Sequence, residues 1–505
     1  MPTAIHKLRI RTAERDAHAV EQRVAAMLNA AELRPRALPP ASILVVRRIG
    51  PGLPPMRLDG HTIRPPADWQ EAVLDELDRL ARLAVRPAGG PVTERAESVL
   101  FLDRAELLAC LAADWVDGTL ASHWWWPNLF PRADLEAAAV RSWLESPQYA
   151  PAAIERLAWT GHAAAFVRKL PGRALPVMAR DVARAFGLRD LERAIEIVFA
   201  RAAIPVDAIE GEPPSRQTGL SISVAPPWAP WVPEARNAAL TAGQRAFLGI
   251  ALAFQRAPQA VRDRAFAKQM QIWAQASAAI EARGLPKPGG ALPEPVPMVD
   301  ARARSVAAVS PPEEGPIPTG ESARLAGEAP PVPQPVIEMA TAPQFCVERT
   351  PFDWVEIETK LGGLFYLINL GIYLGYYGDF STPEEPGIDL PIWAFLTLVG
   401  RRLLEEPCAE DPIWGMLAHL AGRAEFEEPH WDGLEEAMQR INAWIAAEKL
   451  EGMVVMHSAR VRLTAAHLDI FLTLDELPVE IRIARLDRDP GWVPAAGRYI
   501  AFHFQ

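Results

Sequence analysis

The segment that most constrains this chain runs from Leu361 to Leu404. It opens with eighteen residues that carry no formal charge, Leu361 to Gly378 (LGGLFYLINLGIYLGYYG). Asp379 and a Pro/Glu turn follow, then a second apolar helix candidate from Leu390 to Leu404. Such a run is a membrane span, a buried helix pair, or a surface that docks into something larger. A bilayer needs roughly twenty apolar residues in one helix. Here five glycines, Asn369 and several tyrosines interrupt the run, and its helix starts only near Leu364. The pattern predicts a buried helix in which Gly371 and Gly375, a GxxxG pair, let a neighbour approach closely, and no membrane insertion is expected.

At 505 residues the chain exceeds one core, so several domains are expected. Half the residues are apolar and 23% are charged, an ordinary soluble composition, but 49 prolines imply frequent breaks. A net charge of −11 argues against nucleic acid as a partner, because neutralising phosphates takes concentrated Lys and Arg. The first fifty residues are nonetheless basic, led by Lys7, Arg9 and Arg11. These three are interaction candidates for an acidic protein, against the plainer reading of a solvated face. Cys110, Cys346 and Cys408 stand far apart without CxxC spacing, which gives neither a metal signature nor a disulfide framework and fits a reducing, cytoplasmic setting. The opening MPTAIHKLRIRTAERD lacks an apolar core, so no secretory signal is expected.

Hydrophobic periodicity makes the fold class α+β, predominantly helical. Residues 1–90 read as a small βαβα module: a strand at Ile5 to Arg11, a helix at Ala13 to Ala31, a strand at Ser42 to Ile49, and an amphipathic helix at Trp69 to Val85. Residues 95–283 read as an irregular helical domain, with Asp103 as an N-cap and Glu106 completing a capping box. Residues 284–343, rich in proline and without aromatics, read as a disordered linker. Residues 344–505 read as a C-terminal α+β domain: a strand at Trp354 to Thr359, the apolar helices, then helices near Asp411 to Ala421 and Trp431 to Lys449. Period-two patterns at His467 to Leu474, at Val479, Ile481 and Ile483, and at Ile500, Phe502 and Phe504 predict a closing antiparallel sheet.

Three places carry residues that invite chemistry. His123 to Pro127 contains Trp124, Trp125 and Trp126, with Trp115, Trp143 and Trp159 nearby and Asp114 and Asp117 one turn apart. Indoles flanking two carboxylates suggest a sugar platform and a glycan- or cell-wall-acting enzyme. The plainer reading is that they anchor helix ends, with the three adjacent tryptophans as interaction candidates. His457, His467, Asp469 and His503 fall in the terminal sheet, but their spacing matches no standard metal motif. No HExxH, GxSxG, Walker-type loop or GxGxxG followed by an acid occurs. No catalytic residue, metal or cofactor is therefore assigned, and a non-enzyme is expected.

A resemblance rests on VEIETKLGGLFYLINLGIYL (Val355 to Leu374), WAFLTLVGRRLL (Trp393 to Leu404), DPIWGMLAHLAGR (Asp411 to Arg423) and the closing LPVEIRIARLDRDPGWVPAAGRYIAFHF (Leu477 to Phe504). The first of these resembles the tape-measure family of extracellular contractile injection systems, the phage-tail-like particles. The basic N-terminal strand and its helix resemble the same family. The closing segment and the Trp-rich stretch resemble companion proteins of those gene clusters. The resemblance covers roughly the first fifty and last 160 residues. It implies a bacterial structural component or assembly factor, cytoplasmic or particle-associated, with tube, sheath or baseplate proteins as partners. A length-setting rod does not follow, because prolines and glycines break any continuous helix. A membrane-attached adaptor held by Leu361 to Gly378 is the third class of expectation.

Overall fold

The computed structural model describes residues 16–49, 64–202, 240–270 and 355–505, less gaps at 37, 131–133, 257, 263–265, 268–269, 384–386, 405–409, 424–428 and 451–453, together with 5, 53 and 54. The linker read at 284–343, and the strand read at Ile5 to Arg11 beyond Ile5 itself, lie outside the described residues.

Helix α1 (Ala17–Ala30) starts where the Asp16 carboxylate accepts the Ala19 N–H at 3.0 Å. It buries Val20, Val24 and Met27, one face at helical spacing. Strand β1 (Ile43–Val46) and helix α2 (Ala67–Leu83) follow, with Val73, Leu74, Leu77 and Leu80 of α2 turned inward. Strand β2 (Ser98–Phe101) pairs antiparallel with β1 from Ile43↔Phe101 to Val46↔Ser98. It falls inside the stretch that the sequence pattern assigned to helix. Four residues, SVLF, are too few to show a period.

Nine helices among the described residues then form the middle of the chain: α3 (Arg104–Asp117), α4 (Trp125–Leu129), α5 (Leu135–Leu144), α6 (Ala150–Trp159), α7 (Ala163–Lys169), α8 (Ala174–Ala185), α9 (Arg189–Ala202), α10 (Ala242–Arg256) and α11 (Pro258–Arg262). Asp103 caps α3 by accepting the Glu106 N–H at 2.9 Å. The reciprocal half of the predicted capping box gives way to an ion pair, because the Glu106 carboxylate takes Arg86 in a two-pronged contact at 2.8 and 2.6 Å. Helix α10 packs against α6 and α8 and buries Phe247, Ile250 and Leu252 completely or nearly so.

The C-terminal part begins with strand β3 (Val355–Thr359). A 3-10 turn, Gly362–Phe365, leads into α12 (Tyr366–Tyr373), followed by α13 (Ile392–Leu403), α14 (Ile413–Leu420) and α15 (Leu434–Ala447). Strands β4 (Ala459–Leu463) and β5 (His467–Leu472) come next, then helix α16 (Val479–Ile483) and strands β6 (Gly491–Val493) and β7 (Arg498–Phe504). The sheet order is β3-β4-β5-β7-β6, and every pair is antiparallel except β5 with β7, which run parallel from His467↔Tyr499 to Leu472↔Phe504. The segment between β5 and β7 is the crossover that a parallel pair requires. The alternation at Val479, Ile481 and Ile483, expected as a strand, is therefore corrected to helix α16. Ile481 points inward while Val479 and Ile483, four apart, face solvent.

Two large apolar cores result. One gathers α3 to α11 with Val99 and Phe101 of β2, and it takes in Ala466 and Trp492 from the C-terminal part. The other gathers α12 to α15 with the inner face of the five-stranded sheet. Polar ties cross between them: Thr464 Oγ1 donates to Asp103 Oδ2 at 2.8 Å, Trp492 Nε1 to the Ala185 carbonyl at 2.7 Å, and Gln148 Nε2 to the Tyr499 hydroxyl at 2.6 Å. The described residues on either side of 284–343 thus belong to one compact unit. Among them no helix is long and apolar enough to cross a membrane.

Candidate functional site

The stretch from β3 to α14 owes its geometry to residues that its sequence motifs contain. A Cβ on Gly362 would run into Ala459 Cβ, and one on Gly363 into the Val454 carbonyl oxygen. The Gly362 N–H donates to the His457 carbonyl at 2.7 Å. The paired glycines therefore let the start of this helix lie against the chain that enters β4. Asp411, the acid of DPIWG, brackets both ends of the motif region. It accepts Thr359 Oγ1 at 2.6 Å and the Lys360 N–H at 3.0 Å, and also the Ile413 N–H at 3.0 Å where α14 begins.

Gly371 and Gly375 turn out to serve unlike purposes. A Cβ on Gly371 would stand 3.2 Å from the Tyr377 ring and 3.4 Å from that of Phe395, so this glycine faces its own core. Gly375 has φ +73° and open space around its Cβ position. It ends α12 in a left-handed turn, with its N–H donating to the Ile372 carbonyl at 3.0 Å and the Tyr376 N–H to the Gly371 carbonyl at 2.8 Å.

In the Trp-rich segment Asp114 is a hub. Its Oδ2 accepts Trp126 Nε1 at 2.6 Å and lies 2.6 Å from His123 Nδ1, while Oδ1 accepts Thr119 Oγ1 at 3.2 Å. His123 stacks on Trp125 at 4.5 Å, and Trp126 on Phe101 at 5.7 Å. Trp125 and Trp126 are buried and Trp124 is half-buried, so the three side chains build the core rather than present a platform. Asp117 turns to a different histidine, His162, at 3.4 Å. The N–H groups of Trp115, Trp124, Trp125 and Trp143 find no acceptor among the described residues, so ring packing there outweighs desolvation costs on the order of 1–3 kcal/mol each.

On the sheet, His467 and Asp469 also part company. His467 stacks on Tyr499 at 5.3 Å and on Tyr149 at 5.6 Å, with Nε2 3.2 Å from the Tyr149 hydroxyl. Asp469, almost wholly buried, has Oδ1 2.8 Å from His503 Nε2. Burial pushes the His467 pKa down, against the nearby carboxylates of Asp103 and Asp469. Burial likewise pushes the Tyr149 hydroxyl up, helped by Tyr499. Among the described residues no group of three or more His, Cys, Asp or Glu side chains is placed to hold a metal ion. Cys110 is half-buried and its thiol pKa is raised, by burial first and Glu106 second; Cys346 and Cys408 lie outside the described residues.

Lys7, Arg9 and Arg11 also lie outside the described residues. Sequence periodicity missed the large apolar side chains that the C-terminal part leaves outside. Tyr373 and Phe380 are 71% and 67% exposed, and Val479 and Ile483 are 64% and 69% exposed. Reading Val479 and Ile483 as four apart on a helix, instead of as alternate strand positions, is the signal that would have found the latter pair. No family model, curated protein or solved structure matches the chain.

Proposed function

We propose that this chain is a structural component or assembly factor of an extracellular contractile injection system, working by protein–protein contact in the cytoplasm or on the particle. The observation that carries this reading is the use to which the motif residues are put. Gly362 and Gly363, in the segment resembling the tape-measure family, and Asp411, in another segment of the wider resemblance, are spent on backbone approach and helix bracketing. Residues spent on backbone approach and bracketing are not offered to a substrate, and function is argued from the groups a site presents. The hub role of Asp114 favours this reading over a glycan-acting enzyme, since its oxygens already serve Trp126, His123 and Thr119. The outward Val479 and Ile483 offer an apolar contact for a tube, sheath or baseplate protein.

The test is co-expression with the tube, sheath and baseplate proteins of one particle, followed by purification through this chain. Co-purification of at least one of them is expected, and particles from a deletion strain should be absent, misassembled or altered in length. Normal, fully active particles from the deletion strain overturn the assignment.

A further inference from the structure

Strand β3 is an open edge. Among the described residues it pairs with β4 alone, so the backbone groups along its other side have no strand partner there. Alternate N–H and C=O groups of an edge strand point away from the sheet and form a template for a further strand. The two faces of β3 are unlike. Val355 and Ile357 turn to the core but stay half-buried, although Leu463 and Val461, opposite them on β4, are 1% and 0% exposed. The apolar core therefore reaches this edge without a cover. On the other face Glu356 and Glu358 are exposed. Glu356 accepts Arg462 Nη2 at 2.7 Å and lies 3.6 Å from Arg460, whereas Glu358 makes no hydrogen bond or ion pair among the described residues. The rows alternate in sign, basic on β4 and acidic on β3.

The segment that continues this pattern alternates apolar and basic residues. A second copy of β3, run antiparallel about Ile357, would set Glu356 against Glu358, and like charges directly opposite destabilise a pair. Lys7 to Arg11 of this chain (KLRIR) has the required alternation. In either direction along β3 it sets cations beside Glu356 and Glu358, while Leu8 and Ile10 cover Val355 and Ile357. The chain between Arg11 and α1, residues 12–16, spans about 17 Å when extended. Burial lowers the pKa of Arg34, just past α1, and the Asp469 carboxylate opposes it, which brings this part of the chain near β5. Asp469 stands opposite Arg462, and Arg462 opposite Glu356, so β3 lies two strand spacings further on, about 10 Å.

We propose that β3 is a docking edge for Lys7 to Arg11 of the same chain, which adds to the five-stranded sheet as one more strand by backbone pairing. Backbone groups supply the attachment, and the alternating charges and apolar side chains select the segment. This docking stands apart from the particle assignment and does not need it.

Amide hydrogen exchange of the full-length chain, read on fragments that contain Val355–Thr359, gives the test. Lys7→Glu, Arg9→Glu and Arg11→Glu together should speed exchange there by about tenfold or more. Glu358→Lys alone should speed it as well. Joining Glu358→Lys to the three reversals should restore part of the protection, a rescue that general loss of structure does not give. Unchanged exchange in the triple variant, or a combined variant that exchanges no more slowly than the triple one, overturns the proposal. Should the triple variant fail to fold, Glu358→Lys at its exposed position decides, and unchanged exchange there removes the docking edge. Protection in the wild-type chain should not depend on protein concentration. Protection that falls on dilution would put a second copy's segment on the edge and overturns pairing within one chain.

Discussion

In the helical core, space is filled by bulky side chains: Trp126, Trp143, Phe101, Phe166 and Phe247 are all less than 2% exposed. Its glycines Gly118 and Gly161 end helices, with open space where a Cβ would go, although Gly243 in α10 stands against the Phe199 ring. In the core built around Leu361 to Leu404, glycines do the closing. Gly362, Gly363, Gly378, Gly387 and Gly400 each stand where a Cβ would strike a neighbour. Both cores are dense, but they reach density by different means. The first should suffer when atoms or hydrogen bonds are removed, the second when a single methyl is added.

The comparison breaks most readily at Gly363. Gly363→Ala sets a methyl against the Val454 carbonyl and should destabilise the chain by at least about 3 kcal/mol in denaturant unfolding. A loss under about 1 kcal/mol would mean that backbone approach does not close this core. Asp114→Asn keeps the volume of the hub but weakens its bonds to Trp126, His123 and Thr119. It should cost about 2 kcal/mol and alter the near-UV circular dichroism of the tryptophans. An unchanged spectrum and stability would remove the hub.

The GxxxG pair sharpens the contrast within one helix. Gly375→Ala must adopt φ +73° and should cost about 1–2 kcal/mol, with Gly375→Asn costing less. Gly371→Ala should be nearly neutral, because a helix-propensity gain of about 1 kcal/mol offsets crowding of Tyr377. Equal losses at both positions would restore a single small-residue stripe.

Where the two cores meet, pH gives a smaller effect. Burial lowers the His467 pKa from the ordinary 6.5, so the unfolded chain binds that proton more readily than the folded one. Its contribution is complete above about pH 6.5 and declines as pH falls below that value. Wild type and His467→Gln should therefore diverge least in acid, and parallel pH–stability curves would refute the link. The smallest effect on stability, within about 0.5 kcal/mol, is expected for Ile483→Ser on the exposed side of α16. That variant should still weaken co-purification with a particle protein.

Long periodic elements were legible from the residues alone. Helices α1, α2, α13 and α15 and strands β3 and β5 fall where spacing predicts, since ten or more residues, or a clear alternation, leave one face to bury. Short elements were not. SVLF at Ser98–Phe101 is too short to show a period, and VEIRI at Val479–Ile483 alternates like a strand yet forms a helix, so only partners far along the chain decide. The site was less legible still. Nothing local tells that Asp411 reaches back to Thr359, that Asp114 and Asp117 turn to separate histidines, or that Gly371 and Gly375 do unrelated work.

The ties from Asp103 to Thr464, from Ala185 to Trp492 and from Gln148 to Tyr499 join residues more than 300 positions apart. Such ties should hold the two cores together by themselves once they have met. A protease that nicks the chain between residues 270 and 355 should release neither piece. Fragments ending at 283 and beginning at 349, produced separately, should find each other and reassemble as a noncovalent heterodimer.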